Sequence, residues 1–533
     1  MKLKRFLLGL SLTLPLIGCS SPTPEAKNKI SFPDQEVNVY GEVEIKPIFS
    51  IEEEDFNINY DSENIRIEDG KIIGIKVSNS TPVTLTTRSG ETCTFNVTVK
   101  TKKAYAATGT RDNLKVSGNF WRTKEGWFTQ NEVSEISNLP ADFMNGMDIS
   151  SAKALYDNGS IFYNEDGVEQ SLYYILKDAG FNWLRFKLFV NPYTNSGKSY
   201  GCGESDLNNT LWMVKEAKTA GFKVLLDFHY SDYWCHPGQQ VLPKAWANAT
   251  SATDLANKIR NYTYSTLMSF AANGCLPEMV QVGNEISSGN FLKLPGADSD
   301  TFNSYGEPQY ITGAKTSFAY AGTAGSNYMN QYLNAAIEGV KNVNSNIKTV
   351  VHWAKGSNIS ADIIKNFFNG ITAPYDYAGI SFYPYHCFAN INDAKSILNN
   401  LTTGNKALTK PWFVAETSYP YSGTSYVYEN NYNVTNYTIS DWTTSSGATY
   451  IDIKQQYSFN TSGQANLIHD LTEAVVNANG KGMFYWEGAW VPNTAVEWAG
   501  PGSGNSWCNQ GFFSPNGKAI SNIDLFKQLS PHI

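Results

Sequence analysis

From Phe143 onward, short apolar runs alternate with longer stretches in which apolar residues recur at every third or fourth position. A short run of mostly apolar residues reads as a strand covered on both faces, and the longer spacing as a helix with one apolar stripe. Eight strands are expected, at Phe143–Ser150, Trp183–Val190, Lys223–Tyr230, Met279–Glu285, Thr349–Ala354, Ala378–Tyr383, Trp412–Thr417 and Gly482–Gly488. Helical patterns fall between them at Val168–Ala179, Leu207–Ala220, Leu255–Ala272, Met329–Val343, Ala361–Phe368 and Ala465–Ala478. Ala179-Gly180-Phe181 and Ala220-Gly221-Phe222 put glycine where a helix closes in the left-handed conformation. Eight β/α units predict a (β/α)8 TIM barrel, because each parallel strand needs a crossover helix and the eighth can close on the first. An open doubly wound sheet would carry a glycine-rich phosphate loop after its first strand, and this chain has none there.

Ile30 to Lys100 follows a different rhythm. Val37-Asn-Val39, Val43-Glu-Ile45, Ile65-Arg-Ile67, Ile72 to Val77, Val83-Thr-Leu85 and Phe95-Asn-Val-Thr-Val99 run as short apolar segments, mostly with polar residues between, separated by turns such as Asp69-Gly70 and Ser89-Gly90. Period two without a helical stretch predicts a small all-β, immunoglobulin-like domain. The chain is therefore expected to divide into a signal peptide at 1–18, a tether at 19–29, the β-sandwich at 30–100, a linker at 101–139 and the barrel domain at 140–533. Phe120, Trp121, Trp127 and Phe128 predict that part of the linker packs on a neighbour.

The first residues add an export reading. Met1-Lys-Leu-Lys-Arg5 is basic, Phe6 to Ile17 is mainly apolar, and Leu16-Ile-Gly-Cys19 closes the run. That is the layout of an export signal too short to span a bilayer. The ending resembles a bacterial lipobox, which would make Cys19 the first mature residue and its thiol the site of lipid attachment. An exported lipoprotein of the bacterial cell surface or outer membrane is expected, held at the membrane through Cys19.

Composition narrows the partners. Aromatic residues make up 14% of the 533, with 13 Trp and 31 Tyr, while charged residues are 17%. That balance disfavours disorder and suits either a large aromatic core or surfaces that stack on sugars. The formal net charge is −8 with no basic cluster beyond the N-terminus, which excludes a phosphate-tracking surface and hence nucleic acid. The seven cysteines form no CxxC pair or regular spacing, so neither a zinc site nor a disulfide framework is expected. One bridge among Cys202, Cys235 and Cys275 stays open, and a monomer is expected.

The ends of the expected strands collect Asp148, Arg185, Asp227, His229, Asp232, Trp234, Asn284, Glu285, His352, Tyr383, Glu416, Trp486 and Glu487. In a barrel these ends share one face, so distant residues converge on one pocket. Glu285 and Glu416 close the fourth and seventh strands, which places them across the mouth from each other. A retaining glycosidase needs such a pair about 5–5.5 Å apart, one protonating the leaving oxygen and the other attacking the anomeric carbon. Arg185 and Tyr383 are candidate donors to Glu416. Plainer readings stand beside these: Asp227 bonding within the barrel, His229 and His352 one layer behind the substrate, and Trp486 as core or as sugar platform.

Gly146-Met-Asp-Ile-Ser150, Asp227-Phe-His-Tyr-Ser-Asp-Tyr-Trp234 with Pro237, Gln240, Pro243, Ala245 and Trp246, Gln281-Val-Gly-Asn-Glu-Ile286, Gly379-Ile-Ser-Phe-Tyr-Pro384, Ala415-Glu-Thr417 and Tyr485-Trp-Glu487 together resemble glycoside hydrolase family 53. The likeness runs from about Phe143 to about Pro515. It implies an endo-acting, retaining hydrolase of β-1,4-galactan, the type I arabinogalactan of pectic side chains. It also implies Glu285 as acid/base, Glu416 as nucleophile and Asn284 as a ligand of the sugar 2-hydroxyl. Asp148, Arg185, His229, Asp232, Trp234, Tyr383, Trp486 and Glu487 would shape the sugar subsites. Some members bind calcium after the seventh strand, but Ser418–Gly463 lacks an Asp-x-Asp-x-Gly cluster, so no metal is expected and no cofactor is required. The chain departs from the family at Leu188-Phe-Val-Asn-Pro192, at Cys235-His236 and at Tyr385-His-Cys-Phe388, around the subsites rather than the glutamates. The alternatives are a retaining hydrolase of another β-glycan such as mannan, and a non-catalytic surface glycan-binding lipoprotein.

Overall fold

The computed structural model describes residues 28–60, 63–101, 125–288, 292–303, 306–312, 327–355, 359–384, 390–422, 456–493, 495–500 and 507–532. The chain divides into two compact units, one made of Met1–Tyr105 with Val168–Ser171, the other of Ala106–Gly167 with Leu172–Ile533. Cys19 lies outside the described residues, as do Phe120, Trp121 and Tyr385-His-Cys-Phe388.

The first unit is all β. Its strands are β1 (Ile30–Ser31), β2 (Gln35–Asn38), β3 (Glu42–Glu44), β4 (Ile48–Phe49), β5 (Phe56–Tyr60), β6 (Ile65–Glu68), β7 (Lys71–Gly74), β8 (Ser78–Thr87) and β9 (Thr92–Lys100). They form a sheet ordered β2-β9-β8-β5, a sheet ordered β3-β7-β6 and the pair β1-β4. Val83, Leu85, Phe95, Val97 and Val99 point every second side chain inward to meet Ile65 and Ile72 in one buried core, as period two requires. Val168–Ser171 belongs here because its backbone bonds to this unit: Val77 N–H donates to Glu169 O at 3.0 Å and Ser171 N–H to Ile75 O at 2.8 Å. Those bonds correct the helix expected from Val168, which begins at Leu172.

The second unit contains a closed barrel of eight parallel strands in chain order: β10 (Met144–Asp148), β11 (Trp183–Leu188), β12 (Lys223–Phe228), β13 (Met279–Val282), β14 (Lys348–Trp353), β15 (Tyr377–Ser381), β16 (Trp412–Thr417) and β17 (Gly482–Tyr485). Each expected strand is present, but β13 stops three residues short of Glu285 and β17 stops before Trp486. Helices run at Leu207–Thr219, Ala252–Ala272, Asn327–Val343, Ala361–Asn369 and Thr461–Asn477. The second starts before its apolar stripe because the Ser251 hydroxyl accepts from Asp254 N–H and caps it. Helices at Ala152–Asp157 and Ile391–Asn399 also occur; they are short, and the periodicity did not separate them from loop.

Alternation along the strands sorts the side chains. Leu184, Phe186, Leu226, Phe228, Val280, Val282, Val351 and Val414 face outward into the helix-covered core. At one end, Met144, Trp183, Leu225, Met279, Val350, Phe413 and Phe484 plug the interior. Gly146 is required there, because a Cβ would sit 2.2 Å from the Phe484 ring. Two residues further along the same strands the inward positions become Asp148, Arg185, Asp227, Gln281 and His352, all buried. Cys202, Cys235 and Cys275 are all free thiols, so the bridge left open by the sequence is absent among them.

Candidate active site

The polar layer is organised on Arg185. Its fully buried guanidinium donates to Asp148 Oδ2 and Asp227 Oδ2, each at 2.8 Å, and to Asn284 Oδ1 at 2.9 Å. It also pairs with Glu416 Oε1 at 2.8 Å. One cation thus faces three carboxylates, and Arg provides a fork of donors that a point charge could not. Glu416 reaches this ring because the register slips between Val414 and Thr417, and between Ile380 and Ser381 on the neighbouring strand. Such an irregularity re-aims a side chain, and here both Ala415 and Glu416 turn toward the interior. Tyr383 Oη donates to Glu416 Oε2 at 2.9 Å, so both candidate donors are in place.

Glu285 arrives by a different route. Beyond β13, Gly283 has φ +97° and Glu285 φ +50°, a left-handed conformation that costs a non-glycine residue about 1–3 kcal/mol and gathers at functional sites. It is held by its neighbours: Gln240 Nε2 donates to Asn284 O at 2.7 Å, and Glu285 N–H donates to His352 Nδ1 at 3.3 Å. The Ser381 hydroxyl donates to Glu285 Oε1 at 2.6 Å. One carboxylate oxygen of Glu285, one of Glu416 and a ring nitrogen of His352 lie within 4.8 Å of one another. Both His352 nitrogens already have protein partners, Nε2 at Ser381 and Nδ1 at Gln281, Asn284 and Glu285 N–H. Neither ring nitrogen of His352 is thus without a protein partner.

Electrostatics separate the pair. Burial, then the charge of Glu416, pushes Glu285 well above the ordinary carboxylate range. Burial raises Glu416 as well, but Arg185 opposes it most strongly and Tyr383 adds a donor. The one proton the pair shares thus belongs on Glu285. His352 stays neutral, pushed well below its usual value by burial and then by Arg185.

The remaining sequence-selected residues fall into three places. Asp148, Arg185, Asp227 and Asn284 form the ring itself. His229 is fully buried behind it, its Nδ1 accepting from Cys235 N–H at 3.1 Å and its Nε2 3.1 Å from Asp227. Asp232 is also buried and braces two loops, accepting from Asn191 N–H at 2.9 Å and Lys244 N–H at 2.8 Å. At the mouth, Trp234 lies against His236 with ring centroids 4.5 Å apart, and Trp498 touches both Trp234 and Trp486 at 4.8 and 5.2 Å. Trp486 is buried apart from a 7% edge. Glu487, at φ +46°, turns toward Lys187 Nζ at 2.5 Å and Ser151 at 3.0 Å.

Lys187, Ser381 and Trp498 were missed by sequence reasoning. The signal for Lys187 was available: it stands two residues after Arg185 on β11, so a strand with period two must carry both inward. Ser381 looks like any strand residue until its neighbours are placed.

The family model described as Glycosyl hydrolase family 53 matches residues 144–526. An endo-beta-1,4-galactanase of Bacillus subtilis is 31% identical over 421 residues, covering 74% of this chain and 84% of that protein. An arabinogalactan endo-beta-1,4-galactanase of Cellvibrio japonicus is 30% identical, covering 70% and 88%. Among solved structures, the GH53 catalytic domain of Ignisphaera aggregans is 33% identical with a TM-score of 0.61, covering 75% of this chain and 99% of that one. With a family match across the barrel and two glutamates in the arrangement of a retaining pair, the chain belongs to glycosyl hydrolase family 53.

Proposed function

We propose that this chain is an endo-acting, retaining hydrolase of β-1,4-galactan working by double displacement. The observation that carries the reading is the close Glu285–Glu416 pair, in which Glu285 is pushed well above the carboxylate range while Glu416 alone is held by Arg185 and the Tyr383 hydroxyl. Separations of about 6.5–9.5 Å belong to inverting enzymes, which need room for a water, whereas contact at this range leaves space only for the anomeric carbon. Glu416 attacks that carbon while Glu285 protonates the departing oxygen. Glu285, now a carboxylate, then takes a proton from water as the glycosyl–Glu416 bond breaks. Asn284 Nδ2 gives one hydrogen to Cys235 O at 2.8 Å, and its other is proposed for the sugar 2-hydroxyl. Trp234 and Trp498, both partly exposed, offer faces for the apolar side of galactose, and Trp486 reaches the mouth only by an edge. The galactanase names of the relatives favour galactan over mannan as substrate.

Glu285→Ala and Glu416→Ala are each expected to lose about 10²–10⁴-fold or more on linear galactan, measured as reducing ends released. Activity within tenfold of the parent in either variant would sink the assignment. Galactan binding without any cleavage by the parent would support the glycan-binding alternative, and faster cleavage of mannan the other substrate. For location, the basic head, apolar run and Cys19 support export as a lipid-anchored protein at the bacterial surface. Cys19→Ser should release the protein from the membrane fraction, and retention there would remove the anchor.

A further inference from the structure

We propose that Ser381 is a positioning residue for the acid/base: by donating to Oε1 of Glu285, it commits that oxygen as an acceptor and places the catalytic proton on Oε2. This rests on Glu285 being the acid/base.

The direction of each hydrogen bond can be worked out from one fixed point. A backbone N–H is always a donor, and that of Glu285 approaches His352 Nδ1 at 3.3 Å. Gln281 Nε2 lies 3.0 Å from the same nitrogen. Asn284 Oδ1 is also 3.0 Å away, but it already receives Arg185 at 2.9 Å and Gln281 at 3.1 Å. Nδ1 is therefore the unprotonated nitrogen, and the hydrogen of the neutral ring sits on Nε2. Nε2 is 2.9 Å from Ser381 Oγ, so the imidazole donates to the serine. The serine hydroxyl in turn donates to Glu285 Oε1 at 2.6 Å, which marks that oxygen as the acceptor of the pair. Among the described residues no protein group bonds to Oε2, which is left to carry the proton.

In the first step the hydrogen on Oε2 moves to the glycosidic oxygen and the C–O bond breaks. The electron pair left on Glu285 is spread over a carboxylate whose Oε1 already has a donor. In the second step Oε2 recovers a proton from the attacking water. Neither step moves a hydrogen of Ser381 or His352; they hold the orientation and favour the anion. The fit is specific to this register: the slip between Ile380 and Ser381 sets Ser381 opposite Glu416, so one strand end serves both carboxyls.

The experiment compares kcat/KM on galactan and on dinitrophenyl β-galactobioside, whose leaving group needs no proton. Ser381→Ala is expected to lose about 10- to 100-fold on galactan and to change by no more than about threefold on the dinitrophenyl glycoside. Its alkaline limb on galactan should move to higher pH, because a carboxylate that loses a donor takes up its proton more readily. Ser381→Thr, which keeps the hydroxyl, should restore the parental ratio between the two substrates. Equal losses on both substrates, or an alkaline limb that does not move, would overturn the proposal. Glu285→Ala is run alongside: undiminished galactan cleavage there would remove the acid/base assignment itself, a failure distinguishable from that of Ser381.

Discussion

Arg185 shows how one residue sets the chemistry of several. It is surrounded by Asp148, Asp227 and Glu416 at hydrogen-bond distance and has no exposure to water. Burial raises Glu416, and the guanidinium, with the Tyr383 hydroxyl beside it, favours the ionised form against that desolvation. Arg185→Lys keeps the charge but loses the fork, so Glu416 should hold its proton to higher pH. The acid limb of kcat/KM on galactan is then expected to shift upward, with a lower maximal rate. An unchanged acid limb would mean that Glu416 owes its charge to something else. His352 illustrates the opposite case, a titratable ring kept neutral so that it can fix hydrogen-bond directions rather than carry charge.

At the scale of elements, strands carry the ring and loops carry the strain. Glu285 and Glu487 both adopt left-handed backbone just past strand ends, where the ladder no longer dictates φ. The loops are tied down by buried polar anchors such as Asp232, whose carboxyl is pushed by burial from 3.8 up to about 6. A folded state that binds a proton more tightly than the unfolded chain loses stability as pH rises through that window. Asp232→Asn should remove this contribution, flattening the decline between about pH 4 and 6 by at most about 3 kcal/mol, at about 1.36 kcal/mol per unit. Urea unfolding of parent and variant at several pH values checks it, and parallel slopes would refute it. At the closed end of the barrel, Gly146→Ala would drive a methyl into the Phe484 ring. A loss of about 1–3 kcal/mol is expected for overpacking of this kind, with the mouth and the pH profile unchanged.

For the whole molecule, the second unit contains both glutamates and every side chain described as holding them. A chain beginning at Ala106 is therefore expected to keep kcat on galactan within about threefold, as compact units with their own cores fold and act alone. Loss of activity without loss of folded barrel signal would show that the β unit takes part in catalysis. Ile136 and Leu139 are buried in the barrel core, and Ile136 N–H donates to Leu529 O at 3.0 Å. Truncation past them should lower the melting temperature by more than truncation at Ala106, which removes only the partners of Val168–Ser171.

Much of this was legible in the chain itself. Buried strands covered on both faces must be apolar, so eight such runs announced the barrel, and a polar residue at the end of each had to face the open mouth. Glu285, Glu416 and Tyr383 could be selected on that ground, whereas Arg185 lies inside β11, three residues before its end. Hydrophobic periodicity says nothing about where a ladder slips, however, and it was the slip at β15 and β16 that brought Ser381 and Glu416 into place. Nor does it tell a sugar-facing carboxylate from one turned onto a buried lysine, as Glu487 is onto Lys187. Those outcomes depend on distances of a few ångströms between residues hundreds of positions apart, which only the closed barrel decides.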